Sequence, residues 1–119
     1  MNPVTGLNIG RLFLGALALF TPRLAAKVFG LDAARNPQLG YLNRMFGSRE
    51  IALGCLTLAA SGQRQRDLVL VGVAVDAADT VAGLAAGVDG SVSKKQAAFL
   101  ALPALAAVVV GVMAVTDRN

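Results

Sequence analysis

The sequence predicts an all-α protein: a bundle of four transmembrane helices with a short interfacial helix between the first two spans. Three observations carry that expectation. The 119-residue chain is 55% hydrophobic and only 15% charged, with a mean hydropathy of +0.63, more apolar than a single soluble core of this size could hide. Its apolar residues fall into four runs, each near the roughly 20 residues needed to cross a hydrocarbon core. Within the runs, small and polar residues recur at helical spacing, as the contact faces of packed membrane helices require. Little chain remains for anything else, so one integral domain over residues 1–119 is expected, multi-pass in a cell membrane.

Composition also removes whole classes of function. Cys55 is the sole cysteine and there is no histidine, so an intrachain disulfide and the usual zinc and haem ligand sets are excluded, and no metal or cofactor is expected. The net charge of +4 and a pI near 10.0 do not point to nucleic acid. Many of the charges lie in the predicted helices or their short connections, where they orient a membrane protein. No basic residue precedes the first apolar run and Arg11 interrupts it, so a cleaved secretory signal is not expected.

The first span should cover residues 4–20, with Gly6-x-x-x-Gly10 as a close-packing face and Asn8, Arg11 and Gly15 on one side. Arg11 then lies near mid-helix, unless it snorkels back to the N-terminal surface. Thr21-Pro22 reads as a capping hydroxyl followed by a proline at the first helical position, and Gly30 as a stop. In the short helix between them, Leu24, Ala25, Val28 and Phe29 can face lipid while Arg23 and Lys27 face headgroups. Residues 32–40, with Pro37, form the connecting loop.

The second span, residues 41–61, aligns Asn43, Gly47, Glu50, Gly54, Thr57 and Ser61 along one stripe, with Arg44 and Arg49 projecting to either side. So much charge around one helix needs more cover than three neighbours give, which predicts a homo-oligomer. Residues 62–67 read as a tight basic turn. The third span, residues 68–88, repeats the pattern with Gly72, Asp76, Asp79 and Gly83, flanked by Thr80 and Gly87. In three spans a charged residue stands four positions before a glycine: Arg11 and Gly15, Glu50 and Gly54, Asp79 and Gly83. This is one packing solution reached more than once, since a duplication would leave a longer echo. After a turn at residues 90–95, the fourth span, residues 96–116, is free of charge, with a smooth face of Ala97, Ala101, Ala104 and Gly111 and a kink expected at Pro103. It reads as scaffold. Arg23, Lys27, Arg35, Lys94 and Lys95 fall on one side of such a bundle and Arg64, Arg66 and Arg118 on the other, so the positive-inside rule puts both termini outside.

Function concentrates in the charged belt. Laid antiparallel at about 1.5 Å per residue, the helices bring Arg11, Arg49, Glu50, Asp76 and Asp79 to roughly the same depth, near the bilayer midplane. Charge there costs about 2.5–3.5 kcal/mol per residue on insertion scales and usually marks a pathway or a site. Two guanidinium groups facing three carboxylates leave one carboxylate able to hold a proton. Glu50, Asp76 and Asp79 are therefore the candidate acid/base residues, and Arg11, Asn43, Arg44, Arg49 and Thr80 the candidate binding residues. The partner expected is a lipophilic small molecule entering from the lipid bilayer, acted on as by an isomerase, a cyclase or an epoxide-opening enzyme. A proton-coupled transporter uses the same acids, and a structural subunit uses the same charges as a register device. Asp76-Ala77-Ala78-Asp79 is a poor match to carboxylate motifs that hold magnesium and diphosphate, which continue with further Gly, Arg and Asp positions.

Arg44-x-x-Gly47-x-Arg49-Glu50-x-x-x-Gly54, followed by Asp76 midway along the next helix, resembles a domain-of-unknown-function family of small four-helix membrane proteins. The resemblance covers nearly the whole chain. It implies that Arg44, Gly47, Arg49, Glu50 and Asp76 form the centre of the molecule, and it implies no particular chemistry.

Overall fold

A computed structural model of the chain describes residues 2–116; Arg118, used above in the charge count, lies outside them. Among the described residues there are helices and no strands: α1 (Pro3–Phe20), α2 (Pro22–Val28), α3 (Leu39–Ala59), α4 (Gly62–Val88) and α5 (Lys94–Thr116). Three of these, α1, α4 and α5, are long and apolar enough to cross a membrane, with mean hydropathies of 1.4, 1.8 and 2.5. The chain thus has the character of a membrane protein. α3 has the length, at 21 residues, but carries Arg44, Arg49 and Glu50 within it.

The chain divides into two compact units, one of Asn8–Ala60, the other of the residues up to Leu7 together with those from Ser61 onward. In the first unit, glycines let α1 and α3 meet. A Cβ placed on Gly47 would lie 2.5 Å from the Gly15 carbonyl oxygen, and one on Gly15 would lie 2.9 Å from that of Gly47. The approach is backbone to backbone, which only glycine permits. Gly10, expected on a close-packing face with Gly6, is exposed, and a Cβ there would meet nothing within 4 Å. The contact falls one turn further along, on the face that also carries Asn8 and Arg11.

α2 starts and stops where Thr21-Pro22 and Gly30 predict, but the Thr21 hydroxyl donates back to the Leu17 carbonyl (2.7 Å) and caps nothing. Its end is a Schellman closure. Gly30, at φ 76, donates to Lys27 O (3.0 Å), and Leu31 donates to Ala26 O (2.8 Å). Ala25 is fully buried together with Ala26, so it does not face outward with Leu24 and Val28; a methyl is small enough to lie against α3 at close range. Phe29 likewise turns inward, its ring edge-on to Phe46 at 6.1 Å.

The second unit is built on the α4 and α5 pair. α4 begins at Gly62, so residues 62–67 are helix and not the expected turn. Gln and Arg are good helix formers, and Gln63 Nε2 donates to Asp67 Oδ1 (2.7 Å) one turn on. At 27 residues α4 is about 40 Å long, longer than a hydrocarbon core of about 30 Å. Ser93 opens α5 as its cap, its Oγ accepting from the Gln96 N–H (3.1 Å). Gly83 and Gly87 lie against Ala101 and Ala97, and Gly111 against Val73, so the face expected from the small residues of α5 is the one that packs. α5 continues as helix through Pro103.

Candidate functional site

The buried residues of α1 are Asn8, Arg11, Gly15 and Ala18, and those of α3 are Gly47, Glu50, Gly54 and Thr57. Both sets are single stripes at helical spacing, and four of the six stripe positions read from the sequence of α3 are in the second. The Gly15–Gly47 approach puts Arg11 and Glu50 opposite each other. Arg11 Nη1 donates to Glu50 Oε1 at 3.1 Å, with the two side chains 5% and 6% exposed. Arg11 is therefore turned into the unit and does not snorkel to the surface.

The second oxygen, Glu50 Oε2, faces Arg49 Nε at 3.6 Å. Arg49 is half-buried, with its guanidinium 5.2 Å from the Phe46 ring centroid, a cation–π contact worth about 0.5–2 kcal/mol depending on desolvation. Phe46, braced edge-on by Phe29, fixes Arg49 where it can reach its sequence neighbour. The sequence reading missed these aromatics; their only signal was the spacing of Phe46 and Arg49, one turn apart on α3. The outcome is a triad in which one carboxylate is flanked by two guanidinium groups, a buried Arg–carboxylate network.

Asn43 Nδ2 donates to Pro22 O (2.9 Å) and ties the first turn of α2 to α3. Arg44 is exposed on α3. Asp76 is buried, 4% exposed, midway along α4, and Asp79 and Thr80 are half-buried one turn further on. The Thr80 hydroxyl bonds back to the Asp76 main-chain carbonyl (2.8 Å), a donation that satisfies the hydroxyl within its own helix. Arg11, Arg49 and Glu50 thus come together in one unit, and Asp76, Asp79 and Thr80 share one helix in the other. Among the described residues, no group of three or more His, Cys, Asp or Glu side chains is arranged to hold a metal ion.

Chemically, the triad can hold a carboxylate in a fixed place between two guanidinium groups and present a partly accessible guanidinium beside it. The α4 pair offers carboxylates at i and i+3, on one helix face. A family model described as "Domain of unknown function (DUF4267)" matches residues 8–116. No curated protein and no solved structure matches the chain.

Proposed function

The chain belongs to this family of unknown activity, and from its buried charges we propose a multi-pass cell-membrane protein that binds a lipophilic small molecule and does acid/base chemistry on it. The observation that carries the proposal is the Arg11–Glu50 pair with Arg49 on the second oxygen. A protein that needed only helix register could use neutral polar pairs at lower desolvation cost. In this reading Glu50, Asp76 and Asp79 form the acid/base set, as in an isomerase, a cyclase or an epoxide-opening enzyme. Arg11 and Arg49 hold charge states and orientation, and Asn43, Arg44 and Thr80 contribute polar contacts. Asp76 and Asp79 take their role from burial and position on α4 alone.

The same reading makes α3 the fourth span. Its most costly charge, Glu50, is neutralised where it stands, and Leu42, Met45 and Leu56 are exposed around the helix. α2 becomes an interfacial helix, with Arg23 and Lys27 on one ridge, exposed Leu24 and Val28 on the next. Exposed Arg44 on a spanning helix calls for cover from a second copy, so a homo-oligomer is expected by mass measurement in nanodiscs; a strictly monomeric particle would remove that part of the proposal.

The test is retention of a lipophile. Protein purified in mild detergent and extracted with organic solvent should release a small molecule that is depleted from Glu50→Gln and Asp76→Asn proteins of equal helicity. An extract identical for all three proteins would sink the proposal. One observation favours a second reading, a structural subunit: both Glu50 oxygens already face guanidinium groups. That reading predicts a stoichiometric protein partner, lost on Glu50→Gln, in place of a small molecule.

A further inference from the structure

In the second unit, the start of α4 and the end of α5, with Val4 at the start of α1, enclose a cleft of about 380 Å³ lined by Gln63, Gln65, Arg66, Val69, Ala114 and Val115. We propose that this cleft binds the phosphate group of an anionic membrane lipid. The inference is independent of the acid/base reading and needs only that α4 and α5 cross the membrane.

Three features point to that ligand. The first is depth: the cleft sits where one span begins and the other ends, at the level where hydrocarbon gives way to headgroups. The second is the division of its lining, amides and a guanidinium on one side and Val and Ala side chains on the other, which suits a molecule with a charged head and the first methylenes of a chain. The third is charge. Among the described residues, no carboxylate side chain lines the cleft, and the adjacent Asp67 accepts a hydrogen bond from Gln63 Nε2 at 2.7 Å.

Arg66 is held in place there. Its Nη1 donates to the Val115 carbonyl in the last turn of α5, at 2.6 Å. A guanidinium carries five N–H donors in a rigid fork, so fixing it through one leaves the others to meet phosphate oxygens at no further ordering cost. The cleft volume is within the range of small-molecule sites and exceeds what a phosphate alone needs, leaving room for a glycerol-type headgroup.

The experiment is native mass spectrometry of protein released from nanodiscs of phosphatidylcholine mixed with phosphatidylglycerol. Both lipids carry the phosphodiester, but the quaternary ammonium of phosphatidylcholine brings a like charge up to Arg66 and the glycerol of phosphatidylglycerol does not, so wild-type protein should retain phosphatidylglycerol over phosphatidylcholine by about tenfold. Arg66→Gln should abolish that preference, and Arg64→Gln, an exposed neighbour outside the lining, should keep it. Ala114→Phe, which fills the cleft without touching the guanidinium's tie to Val115, should also abolish it, and so serves if Arg66→Gln fails to fold. Excess inorganic phosphate then separates the sources: displacement of the lipid assigns the site to the phosphate group alone, and no displacement assigns it to the intact lipid. Equal retention of both lipids by wild-type protein, or a preference unchanged in Ala114→Phe, would overturn the proposal.

Discussion

Glu50 shows how a carboxylate persists in an apolar helix: both its oxygens are occupied by guanidinium groups from different directions, one across the helix pair and one from its own helix. Breaking a buried pair from one side strands the other charge, at about 3–5 kcal/mol. Arg11→Met and Glu50→Gln should each lower stability by that amount in denaturant titrations in mild detergent. The double variant should cost less than the two together; strict additivity would mean the residues do not interact. Asp89, after the end of α4, offers a contrasting case in water. The Ser91 hydroxyl (2.5 Å) and then the Ser91 N–H (2.8 Å) donate to its Oδ1 and hold its pKa below the ordinary carboxylate value. A lowered folded pKa stabilises the turn above the ordinary value, and the contribution is lost as pH falls through the lowered one. Ser91→Ala removes the largest cause, so NMR titration of that variant should give an Asp89 pKa shifted upward.

At the scale of the helix, the decisive residues are glycines whose neighbours are backbone. Gly47→Ala would set a methyl 2.5 Å from Gly15 O and 2.7 Å from Leu19 N, atoms that cannot swing aside. α1 and α3 must then separate, at about 1–3 kcal/mol, and the Arg11–Glu50 distance must grow. Gly10→Ala, with nothing within 4 Å, should instead stabilise by about 0.5–1 kcal/mol; both changes are readable as denaturation midpoints followed by circular dichroism. The stripe on α3 was legible because glycine, Glu50 and Thr57 recur with the helical period, and burial follows that period. Which glycine of α1 makes the contact was not legible, since Gly6, Gly10 and Gly15 all satisfy small-residue spacing and only the partner's position decides. The start of α4 was misread for a different reason. Charge and polarity at residues 62–67 mark the end of the apolar run, not the end of the helix. The start of α5 was misread too: residues 94 and 95, expected in the turn, are helix, and the Ser93-x-x-Gln96 capping signature that marks this start went unread.

For the molecule as a whole, the sequence conveyed an all-helical protein with apolar, membrane-length helices, a resemblance to a family of unknown function, and Arg11, Arg49 and Glu50 at one level, since apolar content and charge position are one-dimensional properties. The aromatic brace behind Arg49 and the Arg66 tie to α5 were not conveyed, because they join residues far apart in the chain or depend on side-chain direction. The account turns on α3, a helix that is not a span by composition and that is proposed to cross because Arg11 neutralises Glu50. Single cysteines at Arg35, Ser61 and Ser93 in a Cys55→Ser background, labelled with a membrane-impermeant thiol reagent in sealed vesicles, test this directly. The account predicts Arg35 and Ser93 on one face and Ser61 on the other. Labelling of Arg35 and Ser61 from the same face would mean that α3 does not cross the membrane, and would contradict it.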